Sequence, residues 1–306
     1  MEPSKGKSGA YLDPLIVTPT LSHKQTFVIL HGRGSDAQNF GPVLLDTKLP
    51  DGQTIQGVFP HAKFVFPTAS RRRAVVYNRS FINQWFDNWT LDKPLKKEEL
   101  QIEGLRETSA YIHGLLQKEN AIVGAKNVVL GGLSQGCAAS LVSLLIWEGE
   151  PFAAQFGMCG WIPFRTHIAD NVSLDEMSDK ADDGEPDPFA RDPEDSLEEL
   201  SPAAQAVAYL REELDLPAKS KPSMAFQHVP LFLGHGVDDE KVPFSQGKDT
   251  VDLMKCLGID VTWKEYEGLA HWYSSAMLGH LVGWLREKTG WDSSEGASGT
   301  MKVSSH

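Results

Sequence analysis

Short runs of consecutive apolar residues, many of them β-branched or aromatic, alternate along the chain with longer stretches whose apolar residues recur every three or four positions. Thr26–Leu30 (T-F-V-I-L), Lys63–Phe66 (K-F-V-F), Asn127–Leu130, Phe152–Cys159, Val229–Leu233 and Val261–Tyr266 have the length and composition of strands, and Pro67 stops the second. Leu100–Gln117 carries Ile102, Leu105, Ile112, Leu115 and Leu116 at helical spacing. Cys137–Trp147 reads as a buried helix, Ser245–Leu257 turns Val251, Met254 and Leu257 one way, and Met277–Leu285 is a final helix. Strands that stay apolar at every position, separated by helices, predict an α/β fold: a mostly parallel central sheet with helices on both faces.

Three stretches fall outside this pattern. Residues 1–14 read as a flexible arm, and 292–306, rich in Ser and Gly, as a disordered tail. Asn171–Leu200 holds about a dozen carboxylates and three prolines, with few large apolar groups to bury. It lies between the fourth and fifth strands without dividing the fold, so residues 15–291 are expected to form one domain with an acidic insert at about 165–222.

Composition narrows the partners. The chain has 306 residues, 41% of them hydrophobic and 23% charged, values ordinary for a globular protein. A net charge of −12 offers no basic face for a phosphate backbone, so nucleic acid is not an expected partner. Three cysteines, Cys137, Cys159 and Cys256, suggest no disulfide framework and fit a reducing compartment. No apolar run approaches the roughly 20 residues that span a bilayer, and the polar start has no apolar signal core, so the expectation is a cytoplasmic protein without membrane insertion.

The candidate chemistry begins at Gly132-Leu133-Ser134-Gln135-Gly136, a G-x-S-x-G sequence between a predicted strand and a predicted helix. That context is what a nucleophile elbow needs: a turn so tight that small residues must flank the serine, holding its hydroxyl clear of the sheet at a helix N-terminus. A serine hydroxyl is a weak nucleophile without a neighbouring base. In the α/β-hydrolase fold the acid and then the histidine follow the serine in the chain. Val229–Leu233 runs into Gly234-His235-Gly236-Val237-Asp238-Asp239, and Val261–Tyr266 into Glu267-Gly268-Leu269-Ala270-His271. His271 therefore becomes the candidate base, with Asp238 and Asp239 competing to orient it. His31 and His235 are read as structural, since neither holds the last place in that order. An oxyanion hole would take one N–H from Gln135, the residue after the nucleophile, and another from the loop His31-Gly32-Arg33-Gly34, with Arg33 as the candidate. Trp85, Trp161, Ile162 and Phe164 are candidates to line an acyl groove, whereas Phe86 reads as core.

Taken together, these residues resemble the acyl-protein thioesterase family, which also contains lysophospholipases and small carboxylesterases. The resemblance runs over about residues 25–290. It rests on Leu30-His31-Gly32-Arg33-Gly34, on Phe66-Pro67-Thr68-Ala69 with Trp85-Phe86-Asp87, on the Ser134 elbow, on Gly160-Trp161-Ile162-Pro163, on His235 through Pro243, and on His271. It implies the α/β-hydrolase fold, Asp239 as the acid with Asp238 in reserve, backbone donors at Arg33 and Gln135, and no metal or cofactor. The implied reaction is hydrolysis of acyl esters or thioesters through an acyl-enzyme, on acylated protein or on small lipid and ester substrates. Carboxylesterase or lysophospholipase activity stands as the alternative, and a non-catalytic ligand-binding protein as a reading of another class. Two features depart from the family pattern: the acidic insert, and Arg33, a long cation where many members have a small or apolar residue. The Arg33 side chain would either narrow the site or favour an anionic substrate.

Overall fold

The computed structural model describes residues 10–90, 93, 96–170 and 200–291. The acidic stretch 171–199, the tail 292–306 and residues 1–9 of the arm lie outside the described residues. From the rest of the arm, Tyr11 stacks on Tyr111, with ring centres 4.0 Å apart.

Seven strands form the main sheet: β1 (Leu15–Val17), β2 (Gln25–Leu30), β3 (Ala62–Phe66), β6 (Val128–Leu133), β7 (Ala154–Met158), β8 (Leu231–Gly236) and β9 (Val261–Tyr266). Their order is β1-β3-β2-β6-β7-β8-β9, with β1 antiparallel to β3 and every other pairing parallel. Two further strands, β4 (Arg71–Ala74) and β5 (Ser80–Asn83), form a separate antiparallel hairpin.

The apolar strands have no polar face because helices cover both sides of the sheet. Val28 and Leu30 of β2 enter one core with Val128 and Leu130 of β6 and Leu231 and Leu233 of β8. Their neighbours Phe27, Ile29, Val129 and Phe232 enter the other, the two-residue period of a pleated strand buried on both faces. The first core is closed by residues of α3 (Ile102–Val123), α4 (Gln135–Leu145), α5 (Pro202–Glu213) and α6 (Phe244–Cys256). Residues of α1 (Ala37–Asp46), α2 (Ile55–Val58) and α7 (Ser275–Thr289) close the second.

Local chemistry sets several helix starts. Asp36, Ser201 and Ser274 accept the main-chain N–H groups of Asn39, Ala204 and Met277, at the starts of α1, α5 and α7. Helix α4 differs: its N-cap is Ser134, at φ 56° and ψ −120°, with no side-chain cap. The sequence expectation of a mostly parallel sheet covered on both faces is met. The geometric consequence for function is that β2, β6, β8 and β9 all present their carboxyl ends along one edge, and the loops after those ends face a common space.

Candidate active site

Strand β6 delivers Ser134 to that edge. Its left-handed φ is unfavourable for a residue with a Cβ, at a typical cost of about 1–3 kcal/mol. The surroundings over-determine it: the Ser134 N–H donates to the Met158 carbonyl at 2.8 Å, and helix α4 is buried along its whole length. The two flanking glycines are required by close approach of backbones. A Cβ on Gly132 would sit 2.4 Å from the Gly136 carbonyl carbon, and one on Gly136 would sit 2.6 Å from the carbonyl oxygens of Leu30 and His31.

The Ser134 hydroxyl lies 2.8 Å from Nε2 of His271, and Nδ1 of His271 lies 2.7 Å from Oδ2 of Asp239. The three side chains come from the ends of β6, β9 and β8, separated by up to 137 residues of sequence. Asp239 is buried, and its other oxygen accepts the main-chain N–H groups of Lys241 and Val242, both at 2.9 Å. Its Oδ2 also lies 3.2 Å from Nε2 of His235. Burial alone would raise the Asp239 carboxyl, but the hydrogen bonds from His235, His271 and the Val242 N–H outweigh it. They hold the group well below the usual carboxylate range. A permanently ionised carboxylate directs the His271 Nδ1 proton towards itself and leaves Nε2 free to accept from Ser134. Asp238, the alternative acid, is exposed to solvent.

The two remaining histidines of this edge are structural. Nδ1 of His31 donates to the Gly32 carbonyl at 2.7 Å, and Nε2 accepts the Ala69 N–H at 3.0 Å. That pairing needs a neutral ring, and burial pushes the His31 pKa down to about 4. His235 is buried with its Nε2 on the Val242 carbonyl at 3.0 Å, so it braces the loop that carries Asp239.

The His31–Gly34 loop meets the elbow directly. A Cβ on Gly32 would stand 3.6 Å from the Ser134 Cβ, and the Gly34 N–H is anchored to the Asn83 carbonyl at 2.8 Å. Arg33 borders the same cavity as Ser134. Gln135 opens α4, and its buried side chain does work the sequence did not reveal. It accepts the Trp85 N–H at 3.0 Å and donates to the Phe86 carbonyl at 2.7 Å and to Asn88 Oδ1 at 3.0 Å, binding the 85–88 segment to the elbow.

A cavity of about 240 Å³ opens beside the hydroxyl. Phe40, Leu133, Trp161, Val242 and Trp272 give it an apolar wall; Gly32, Arg33, Tyr77, Asn88 and Lys241 are among the other lining residues. Of the four residues expected to line an acyl groove, Trp161 lines this cavity. Trp85, Ile162 and Phe164 do not line this cavity: all three are buried, and Trp85 spends its indole N–H on the His31 carbonyl at 2.7 Å. Large apolar residues next to a site motif carry the packing that holds the motif as readily as they carry substrate. Tyr77, Lys241 and Trp272 line the cavity without having been expected to; Tyr77 ends a three-residue 3-10 helix and the other two lie in loops, and such short or irregular segments carry no periodic signal.

Among the described residues one cluster has three potential metal ligands, Cys159, Asp239 and His271, whose donor atoms lie within 4.8 Å of one another. Two of them are engaged with each other. The third is a thiol that donates to the Trp272 carbonyl at 3.3 Å and that burial pushes up to about 12. A protonated thiol is a poor metal ligand.

Comparison with known proteins adds the family. Residues 12–178 match the sequence profile of the phospholipase/carboxylesterase family. The chain belongs to that family. Residues 109–291 of this esterase-family chain also match the prolyl oligopeptidase profile, which overlaps the first across the elbow and extends over Asp239 and His271. Acyl-protein thioesterase 1 of Gibberella zeae is 23% identical, covering 92% of this chain and 97% of that protein. Carboxylesterase SOBER1 of Arabidopsis thaliana is 22% identical over 86% of this chain and 91% of that one. The crystal structure of Zea mays acyl-protein thioesterase 2 superposes with a TM-score of 0.62 at 21% identity, covering 90% of this chain and 99% of that one. These relationships establish the α/β-hydrolase fold and a serine hydrolase. No described helix is long and apolar enough to cross a membrane.

Proposed function

We propose that this chain transfers acyl groups from esters or thioesters to water, with Ser134 as nucleophile, His271 as general base and acid, and Asp239 as its orienting carboxylate. The observation that carries this reading is the unbroken hydroxyl–imidazole–carboxylate series at 2.8 and 2.7 Å beside an open cavity. His271 takes the Ser134 proton as the oxygen attacks the acyl carbonyl, and Asp239 stabilises the imidazolium that results. The main-chain N–H groups of Arg33 and Gln135 receive the developing oxyanion, a role in which one donor is typically worth about 3–4 kcal/mol of barrier. His271 then protonates the departing thiol or alcohol, and water activated by the same ring clears the acyl-enzyme.

The relatives named acyl-protein thioesterase favour an acylated protein as substrate. One observation favours the second reading, a carboxylesterase of short esters. The cavity of about 240 Å³ is below the roughly 300–1,000 Å³ of pockets that enclose drug-sized ligands. A matched panel of acyl thioesters and oxygen esters, from acetyl to palmitoyl, separates the two, with Ser134→Ala as control. The thioesterase reading expects kcat/KM to rise with chain length and to favour the thioester. A maximum at short oxygen esters would replace it with the carboxylesterase reading. No turnover of any member by folded protein would leave a ligand-binding protein and overturn both.

A further inference from the structure

The cavity beside Ser134 holds a cation whose charge nothing in the described site neutralises directly. The Arg33 guanidinium lies 5.9 Å from the centre of the Tyr77 ring, itself a cavity wall. Its Nη1 is shielded from solvent and has no hydrogen-bond partner. A buried guanidinium nitrogen left unpaired is costly, and such groups are ordinarily satisfied by a carboxylate, a carbonyl or a ligand. The carboxylate that attracts it electrostatically is Asp87, but that group accepts other donors: the N–H groups of Val75 and Asn88 at 3.0 and 2.9 Å, and the Gln84 amide at 3.4 Å. Burial also lowers the Arg33 pKa, the sign of a cation under-compensated where it stands.

The cavity composition points the same way. Among the described residues, its lining includes two cations, Arg33 and Lys241, and no aspartate or glutamate. This local excess sits in a chain of net charge −12, so it is a property of the site and not of the surface at large. The same lining also holds the apolar side chains of Phe40, Leu133, Trp161, Val242 and Trp272. A ligand complementary to both sets of residues has an apolar part and an anionic part.

We infer that the Arg33 guanidinium receives an anionic group, a carboxylate or a phosphate, carried by the substrate close to its scissile acyl bond. A planar guanidinium offers two parallel N–H donors that match the oxygens of either group. The inference rests on the hydrolase reading above and deepens it by naming a substrate class. The anion has two possible sources, the acyl chain and the leaving group, and in both the chemistry recognised is the same. Arg33 acts here through its side chain as a specificity-determining residue, separately from the main-chain N–H assigned to the oxyanion.

The test compares charged and neutral substrates of equal shape. In the acyl arm, a glutaryl monothioester, ending in a carboxylate, is set against the glutaramoyl thioester, ending in the neutral carboxamide. In the leaving-group arm, the butyryl thioester of 3-mercaptopropionate is set against that of 3-mercaptopropionamide. The wild type is expected to favour the anionic member of at least one pair by about tenfold to a hundredfold in kcat/KM, the range of a charge-assisted hydrogen bond. The arm that responds identifies the source. Arg33→Met should bring that ratio to about one, and Arg33→Lys should restore part of it. The ratio is taken within each variant, so a general loss of activity does not disturb it. A wild-type ratio at or below one in both arms overturns the inference, whatever the variants do. So does a preference that Arg33→Met leaves intact. Turnover of the neutral members without charge preference would sink this inference alone; turnover of no member would sink the hydrolase reading with it.

Discussion

Replacing Gly132 by alanine tests the elbow with the smallest change available. The added Cβ would lie 2.4, 2.5 and 2.6 Å from the carbonyl carbon and oxygen of Gly136 and the nitrogen of Cys137. Carbon atoms in good contact sit about 3.5–4.0 Å apart, so β6 and the start of α4 must separate by about 1 Å. The obstructing atoms are main chain, and no rotamer change relieves them. Overpacking of this kind typically costs about 1–3 kcal/mol of stability, a fall of several degrees in melting temperature for a chain of this size. The kinetic cost should be larger. The Ser134 Oγ sits at the junction that must open, and a misplacement of about 1 Å at a reacting centre costs on the order of a hundredfold in rate. Steady-state kinetics on a short-chain ester, beside thermal unfolding, reads both quantities. Gly114→Ala is the control: Gly114 is exposed on α3, and a Cβ there meets nothing within 4 Å. It should keep wild-type kinetics and gain about 0.5–1 kcal/mol from helix propensity. A folded Gly132→Ala enzyme within threefold of wild-type kcat/KM would refute the steric account of the elbow.

Three further outcomes follow from the site. Asp239→Asn should lower kcat/KM by on the order of a thousandfold to ten-thousandfold, because an amide facing Nδ1 favours the wrong tautomer of His271, whereas the exposed Asp238→Asn should stay within about twofold in the same ester assay. His31 is neutral in the folded protein, with a pKa of about 4 against about 6.5 when unfolded, so the unfolded chain binds the extra proton first. Stability is then full above pH 6.5 and falls by about 3 kcal/mol as the pH drops from 6.5 to 4; urea unfolding at pH 7 and 4.5 should show a smaller loss in His31→Gln than in the wild type, and equal losses would contradict the assignment. Gln135→Leu strands the Trp85 N–H, the Phe86 carbonyl and Asn88 Oδ1 without their partner and should destabilise by about 3 kcal/mol or more, so a measured change under 1 kcal/mol would show that these bonds are replaced by others.

The sheet and most of the proposed catalytic series were legible for the same reason. A strand buried on both faces must be apolar at every position, and the residues just past the carboxyl ends of parallel strands are brought to one edge. Val261–Tyr266 was bounded to the residue, and the places of Ser134 and His271 followed from the strands before them, whereas the choice of Asp239 over Asp238 came only from the family resemblance. Elements without such a signature were missed. Hairpin β4–β5 is built on Arg71-Arg72-Arg73, which has no apolar alternation. Helix α1 contains Pro42, a breaker by its type. Helix α5 lies in the acidic insert and buries mainly alanines, Ala203, Ala204 and Ala206, beside Val207 and Leu210; small side chains leave a faint stripe. The lining of the cavity beside Ser134 was the least legible part. Hydrophobicity marks Trp85, Ile162 and Phe164 as residues that avoid water, but it does not say whether they face substrate or core. Three-dimensional packing decides that they face the core.

Covalent trapping tests whether Ser134 is the nucleophile. Incubation of the folded protein with a fluorophosphonate, followed by peptide mapping, should give a single adduct on Ser134. The adduct should vanish in Ser134→Ala and form far more slowly in His271→Ala, because the ring 2.8 Å from the hydroxyl is what activates it. A folded wild-type protein left unlabelled, or labelled at another residue, would contradict the account.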